Sequence, residues 1–199
     1  MQARTHHGDK GRRTDDAHGT RQQQAQRTTD RHTAADHRER GGLLADEVEA
    51  LFDFYGALAE ENGVTLRLEG SGQVTGDRLM LRRAIGNLLS NALRYTPSGG
   101  RIVVTVSVVR DSTDTETVHL AVENTGDPIP PEHLSRLFDR FYRVDASRRH
   151  SGDGAGLGLA ITRSILRSHG GDIEGRTGKG CNIFEMWIPT SIVTPRSAD

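Results

Sequence analysis

The chain has 199 residues, one cysteine and a formal net charge of −1. This charge gives no overall attraction to nucleic acid or to an anionic membrane, and one cysteine excludes an intramolecular disulfide or a zinc site built on several cysteines. The longest strongly apolar run, residues 102–109, is far shorter than the roughly 20 residues that span a bilayer. As written, the chain is predicted to be soluble and cytoplasmic, with no nucleic-acid partner.

Residues 1–42 differ in composition from the rest of the chain. They contain no Leu, Ile, Val, Phe, Tyr, Trp or Cys, but they hold five of the nine histidines. Such a segment buries too little apolar surface to offset the entropy cost of ordering, so a disordered tail is predicted. A basic, His-rich arm that binds metal or nucleic acid, and the product of a displaced start or altered reading frame, are the alternatives. A domain is predicted for residues 43–190, followed by a short tail at 191–199.

The predicted domain begins with an amphipathic helix, whose apolar face is formed by Val48, Leu51, Phe52, Tyr55 and Leu58. The elements that follow are a strand at 64–68, a helix capped by Asp77, strands at 101–110 and 117–123 around a hairpin turn, a loop with a short helix, a helix at 160–166 and two final strands. This order predicts an α/β (α+β) fold, a two-layer sandwich of one mixed β-sheet with about three helices on one face.

Four glycines alternate with other residues just before the predicted helix at 160–166: Gly152, Gly154, Gly156 and Gly158. Glycine lets backbone N–H groups approach a ligand closely, and the start of a helix adds unpaired donors and the positive end of a dipole. The segment is therefore a candidate phosphate cradle, and a mobile turn is the alternative.

A second candidate segment lies on the helix that Asp77 caps. Asn87 and Asn91 are four residues apart and share a helix face. Their amide oxygens can ligate a hard cation such as Mg²⁺, Arg94 can pair with phosphate, and Tyr95 offers a ring on which a purine can stack. Two surface asparagines and a solvated arginine are the alternative.

Two further segments contain residues suited to a nucleotide. Residues 123–130 follow a strand, where a polar side chain can hydrogen-bond a base edge and Gly126 permits close approach; an ordinary strand-to-loop turn is the alternative. Residues 137–143 contain aromatic residues suited to core or lid packing, and Arg143 could reach a terminal phosphate.

The order and spacing of the four segments resemble the ATP-binding catalytic domain of bacterial sensor histidine kinases, within the gyrase, Hsp90, histidine kinase and MutL superfamily. In chain order, residues 87–95 match the N box of that family, residues 123–130 the G1 box, residues 137–143 the F box and the glycine segment the G2 box. The sequence of residues 123–134 and 136–145 is most similar to that of heavy-metal sensor kinases. The resemblance covers roughly residues 43–189.

The resemblance implies a role for each residue of the N and G1 boxes. Asn91 would ligate Mg²⁺, with Asn87 beside it contacting metal or phosphate, and Arg94 would lie near the phosphates. Asn124 stands where most of the family has an aspartate that accepts the adenine N6 amine. The other implied contacts of the base are Tyr95, Gly126 and Ile129.

In the F and G2 boxes, Arg143 would meet the γ-phosphate, so Arg94 and Arg143 are the predicted catalytic residues. The lid would run between Asp139 and Gly156. Its hinge and the phosphate cradle would be formed by Gly152, Gly154, Gly156 and Gly158, with Leu157 packing behind them.

Besides Asn124, the chain departs from the family pattern at three further places. Pro128 replaces the second glycine of the G1 box, which predicts a stiffer loop. Arg83 stands where many members have His or Glu, which disfavours an anti-sigma-type serine kinase. The final run to Pro189 is one residue longer than usual, which a β-bulge would accommodate.

The function implied by the resemblance is transfer of the ATP γ-phosphoryl group to a histidine. None of the nine histidines has the sequence setting of the family's acceptor, so the acceptor would come from a histidine-containing dimerisation domain of another domain or chain, with a response regulator as partner. Full-length relatives are inner-membrane proteins with this domain in the cytoplasm. A non-catalytic nucleotide-binding regulator and an anti-sigma-type serine kinase are the alternatives.

Overall fold

The computed structural model describes residues 42–110, 112, 114–144 and 156–190. The predicted tails at 1–42 and 191–199 lie outside the described residues, apart from Gly42, and so do Gly152, Gly154 and most of the predicted lid. The elements are, in chain order, β1 (Gly42–Leu43), α1 (Leu44–Glu61), β2 (Thr65–Gly70), β3 (Gln73–Val74), α2 (Arg78–Tyr95), β4 (Arg101–Arg110), β5 (Glu116–Thr125), α3 (Pro131–Leu134), α4 (Gly158–Ser168), β6 (Asp172–Gly178) and β7 (Cys181–Pro189).

The main sheet has five strands in the order β2-β4-β5-β7-β6. The β2–β4 pair is parallel and the other pairs are antiparallel, whereas β1 and β3 form a separate two-stranded sheet. The predicted mixed sheet is therefore confirmed. The suggested bulge is wrong, because β7 pairs with β5 without interruption from Cys181 to Pro189.

One face of the main sheet forms the core under α1, α2 and α4, as predicted. Alternate side chains of the strands are buried on this face, among them Ile102, Val104, Val118, Leu120, Val122, Phe184, Met186 and Ile188. None of the helices in the described part of the chain combines the length and apolar character that a membrane span requires.

The helix predicted after Asp77 is confirmed, and its ends have clear causes. The Asp77 carboxylate accepts hydrogen bonds from the backbone N–H groups of Leu79 and Met80 at 3.0 and 3.1 Å, which satisfies two donors of the first turn. Thr96 adopts an extended conformation at the C-terminus, as expected for a residue that precedes proline. These two ends fix the position of the segment that carries Asn87 and Asn91.

The apolar face predicted for the first helix is correct except at its end. Val48 and Leu51 are buried, but Leu58 is 45% exposed and Ala59 is 3% exposed. In the last turn of α1 the side chain that faces the core is therefore Ala59, because residues 44, 48, 51, 55 and 59 follow the helical repeat more closely than a stripe ending at 58.

Asp172 joins α4 to the edge strand β6. Its carboxylate accepts hydrogen bonds from Arg163 Nε at 2.9 Å, Arg167 Nη2 at 3.1 Å and the backbone N–H of Ile173 at 2.9 Å. Burial alone would raise the pKa of Asp172, but the bonds from Arg163, Ile173 and Arg167 outweigh it and lower the pKa to about 2.

Replacement of Asp172 by asparagine tests this contact. Because the folded-state pKa lies below the usual value of 3.8, the carboxylate should stabilise the fold fully above about pH 4 and progressively less as the pH falls toward 2. We expect Asp172→Asn to lower the free energy of unfolding by about 1–2 kcal/mol at pH 7, and the deficit to shrink below pH 4. Denaturant titrations across this range measure both effects. The exposed Asp53→Asn serves as the control, and an equal deficit at pH 7 and pH 3 would contradict the assignment.

Candidate nucleotide-binding site

The described parts of the four candidate segments are linked to one another by contacts. A Cβ built on Gly126 would lie 3.0 Å from the carbonyl oxygen of Tyr95, so the segment at 123–130 touches the end of the helix that carries Asn87 and Asn91. The Asn87 amide donates to the Gly158 carbonyl at 3.1 Å, and the Phe141 N–H donates to the Gly156 carbonyl at 3.0 Å. Segments that are far apart in sequence are thus adjacent in the fold.

A row of polar side chains crosses three neighbouring strands where the apolar core ends. Asn124 on β5 pairs in register with Asn182 on β7, and Asn182 pairs with Thr177 on β6. Asn124 and Asn182 are only 2% and 4% exposed. This row forms a polar floor beside the Gly126 loop, at one end of the apolar core.

Sequence reasoning identified Asn124 but missed Asn182 and Thr177. For Asn182 a signal is present in the alternating pattern of β7. Residues 184, 186 and 188 are apolar and face the core, and Asn182 lies on the same face of the strand. A polar residue at such a position is buried and requires hydrogen-bond partners. The partners of Asn182 depend on how the strands pair, which its own strand does not reveal.

Asn87 links α2 to the start of α4. Its Nδ2 donates to the Gly158 carbonyl at 3.1 Å and approaches the Thr162 hydroxyl at 3.4 Å. Thr162 is completely buried and donates to the Gly158 carbonyl at 3.0 Å. The amide nitrogen of Asn87 is therefore already hydrogen-bonded to α4. Its amide oxygen is the atom suited to a metal ion or a water. Asn91 is half-buried and lies one turn further along the same face.

His169 provides a second link between these helices. Its Nε2 accepts the backbone N–H of Asp77 at 3.0 Å, and its Nδ1 donates to the Ile165 carbonyl at 2.8 Å. These bonds require the neutral ring with its proton on Nδ1. A Cβ on Gly76 would lie 2.6 Å from the His169 ring, so this approach of the chain requires glycine. The start of α2 is thereby fixed to the end of α4.

The predicted cationic and stacking residues lie at the surface of the site. Arg94 is exposed in the last turn of α2, and Tyr95 beside it is 51% exposed. Arg143 is half-buried shortly before the undescribed residues 145–155, and Leu157 is half-buried directly before α4. Ile129 is half-buried and packs against the core.

The aromatic segment is anchored to the core at one end. Phe138 packs edge-to-face against Phe184 with ring centroids 6.5 Å apart, and the Arg163 guanidinium lies 5.4 Å from the Phe138 ring. At the other end Tyr142 Oη contacts His133 Nδ1 at 2.5 Å. The segment therefore contacts α4, β7 and α3.

Gly156 lies against the backbone of the aromatic segment at residues 141–142. It adopts φ +69°, and a Cβ there would lie 3.0 Å from the Phe141 carbonyl carbon and from the Tyr142 oxygen. Only glycine adopts this conformation readily, and here it also leaves space for the neighbouring backbone. Gly158 differs, because a Cβ there would make only ordinary contact with Asn87, at 3.8 Å.

Comparison with known proteins identifies the family to which this fold belongs. Residues 76–192, more than half of the chain, match the family described as histidine kinase-, DNA gyrase B- and HSP90-like ATPase. The chain belongs to this family. Within it, the chain carries the catalytic ATPase domain of a two-component sensor histidine kinase, which confirms the resemblance drawn from the four boxes.

Among curated relatives, the chain is 60% identical over 147 residues to the sensor histidine kinase CusS of Escherichia coli K12, covering 73% of this chain and 30% of that protein. It is 46% identical over 131 residues to the probable sensor protein PcoS of Escherichia coli, covering 66% of this chain and 27% of PcoS. The resemblance to heavy-metal sensor kinases is thus confirmed, and the chain spans about 30% of the length of CusS.

Solved structures confirm the fold. The catalytic domain of histidine kinase ThkA has a TM-score of 0.64 and 24% identity, with 76% of this chain and 96% of that chain covered. A structure of ThkA in complex with response regulator protein TrrA has a TM-score of 0.62 and 22% identity, with 86% of this chain and 49% of that chain covered.

The difference between Gly156 and Gly158 gives a matched pair of substitutions. We expect Gly156→Ala to lower the free energy of unfolding by about 1–2 kcal/mol, because alanine is strained at positive φ and its Cβ meets backbone. Gly158→Ala should be neutral or slightly stabilising, because alanine favours a helix and its Cβ has space. Denaturant unfolding measures both, and equal losses would contradict this account.

Proposed function

We propose that this chain binds ATP with Mg²⁺ beyond the end of β5 and transfers the γ-phosphoryl group to a histidine on a separate domain or chain. The observation that carries the proposal is the series of contacts that links the described parts of the four boxes, together with the polar floor beneath the Gly126 loop. ATP binding is a property of the matched family. The contacts that support one shared site are those of Gly126 with Tyr95, of Asn87 with Gly158 and of Phe141 with Gly156.

Asn91 is the proposed metal ligand. Its face of α2 is directed toward the start of α4, because Asn87 on the same face bonds Gly158. Neutral amide oxygens suit Mg²⁺, which commonly takes few protein ligands and draws its remaining oxygens from phosphates and water. When bound, the ion would neutralise phosphate charge. Asn87 would contribute its amide oxygen beside Asn91, directly or through water.

The base would lie against the polar floor and the Gly126 loop. Asn124 would accept from the base through its amide oxygen, Gly126 would allow close approach, and Ile129 would supply an apolar wall. Tyr95 is exposed enough to contact the base or ribose. Pro128 limits the conformations of this loop, which favours a preformed pocket.

The phosphates would lie between the end of α2 and the start of α4. Arg94 and Arg143 would place positive charge there, and the N–H groups of the glycine segment and of the first turn of α4 would donate to phosphate oxygens. Phosphoryl transfer depends mainly on positioning and charge stabilisation. These groups could supply both without a covalent intermediate on this domain.

The acceptor histidine is proposed to lie outside this domain. Each of the three histidines that the structure describes has another role: His119 bonds Glu185 and stacks on Trp187, His133 bonds Tyr142, and His169 joins α2 to α4. The acceptor would be on the dimerisation domain of a sensor kinase, in the cytoplasm, and a response regulator would receive the phosphoryl group. The complex of ThkA with response regulator protein TrrA supports a response regulator as the partner.

Calorimetry with and without Mg²⁺ tests the nucleotide site. We expect Mg²⁺ to tighten ATP binding to the wild-type chain, and Asn91→Ala to raise the Kd for Mg-ATP at least about tenfold through loss of a metal ligand. Without Mg²⁺ the two proteins should bind similarly. Ser90→Ala, exposed on the neighbouring position of α2, is the control. Binding that does not respond to Mg²⁺ would contradict the metal assignment, and no binding by folded protein would refute the function.

Phosphoryl transfer needs a second experiment, with the isolated dimerisation domain of a CusS-type kinase as acceptor. We expect acid-labile phosphate to appear on its histidine, and Arg143→Ala to slow transfer about 10- to 100-fold through lost charge stabilisation, with less effect on the Kd for ATP. Arg140→Ala, exposed in the same segment, should transfer normally. Tight ATP binding without transfer would instead identify a non-catalytic nucleotide-binding regulator.

A further inference from the structure

Asn182 lies beneath the loop that follows β5, and its side chain bonds that loop on both sides of Pro128. Its Nδ2 donates to the Asp127 carbonyl at 3.0 Å, and its Oδ1 accepts the Ile129 N–H at 3.3 Å. The same Oδ1 accepts the hydroxyl of Thr177 at 2.7 Å. One carboxamide that is 4% exposed therefore joins the loop to two strands of the sheet.

The β6–β7 hairpin adds two further contacts to this loop. Thr177 Oγ1 also accepts the Ile129 N–H, at 3.1 Å, so this one donor is shared between Thr177 and Asn182. The Gly126 N–H donates to the Gly180 carbonyl at 3.0 Å. Gly180 belongs to a two-residue turn with Lys179 in which both residues have positive φ, 52° and 76°, the geometry of a type I′ hairpin turn.

Two prolines restrict the φ angles of the loop, but they also leave it few backbone donors with which to hold its position. Pro128 and Pro130 have no N–H, so the backbone donors of residues 126–130 are those of Gly126, Asp127 and Ile129. Two of these three donors bond to the β6–β7 hairpin, and the Asp127 carbonyl also bonds to Asn182. The position of the loop is therefore set by the hairpin, chiefly through Asn182.

We propose that Asn182 is a positioning residue of the nucleotide site, which holds residues 126–129 where Gly126 and Ile129 meet the base. This inference rests on the proposed function, because those two residues are proposed contacts of the base. Asn182 acts through the loop: its Nδ2 lies 3.4 Å from where a Cβ of Gly126 would be, so loss of its side chain removes support directly below the base contact.

Two variants remove the contacts and one control keeps them. Asn182→Ala deletes the carboxamide, and Thr177→Val deletes the shared hydroxyl while keeping a β-branched residue of similar shape on an edge strand. Ile188→Val is the control, because Ile188 is fully buried on the same face of the same strand but belongs to the apolar part of the core. The control loses stability without touching the loop.

We expect Asn182→Ala to raise the Kd for ATP about tenfold, the effect of one lost buried hydrogen-bonding group, and Thr177→Val to raise it in the same direction. In the nucleotide-free proteins, amide hydrogen exchange at Gly126 and Ile129 should be faster in both variants than in wild type. Ile188→Val should lower the melting temperature while leaving the Kd and the exchange at Ile129 unchanged. This exchange signature separates positioning from a general loss of stability.

The outcomes that would overturn the proposal are distinct from those that would overturn the function. If wild type binds ATP and Asn182→Ala matches Ile188→Val in Kd and in exchange at Ile129, Asn182 is only a core residue. If Asn182→Ala does not fold, Thr177→Val decides the question by the same two measurements. If folded wild type does not bind ATP, the proposed function fails and the nucleotide role of Asn182 fails with it, even where exchange shows that Asn182 holds the loop.

Discussion

The pairing of β5 with β4 on one side and β7 on the other determines which side chains face the helices. Nine residue pairs join β5 to each neighbour without a break. Because side chains alternate along a strand, a slip of one residue would move Asn124 from the helix side to the open side of the sheet and bury its polar neighbours. The position of Asn124 at the end of the core, and that of Asn182 beside it, therefore depends on this register.

The second constraint is the pair of polar links between α2 and α4. Asn87 meets Gly158 at the start of α4, and His169 meets Asp77 at its end. Residues 77 and 87 are ten positions apart, about 15 Å along a helix, so the two contacts oppose both sliding and rotation of one helix against the other. The first turn of α4, which would face phosphate, is thereby held against the helix face that would carry the metal ion.

Much of the fold could be predicted because its signals are local. Apolar spacing, the Asp77 cap and the glycine turns identified the main helices and the strands of the main sheet, and the four boxes identified the family. Contacts between distant segments could not be predicted in this way. The engagement of Asn87 with Gly158, the pairing of β1 with β3, and the partners of Asn182 and Thr177 depend on how elements pack. The exposure of Leu58 likewise depends on which residue of the last turn of α1 meets the sheet.

The carboxamide of Asn124 shows how backbone geometry and site chemistry are connected. Its Nδ2 donates to the carbonyl oxygen of Thr125 at 3.1 Å. A carboxylate only accepts hydrogen bonds, so an aspartate here would lose this bond and place an oxygen against that carbonyl. The same bond orients the amide and leaves Oδ1 directed away from Thr125, where it can accept an N–H group. Since Asn182 and Thr177 are also neutral, the polar floor itself carries no charge, whereas Arg94 and Arg143, the proposed contacts of the phosphates, lie outside it.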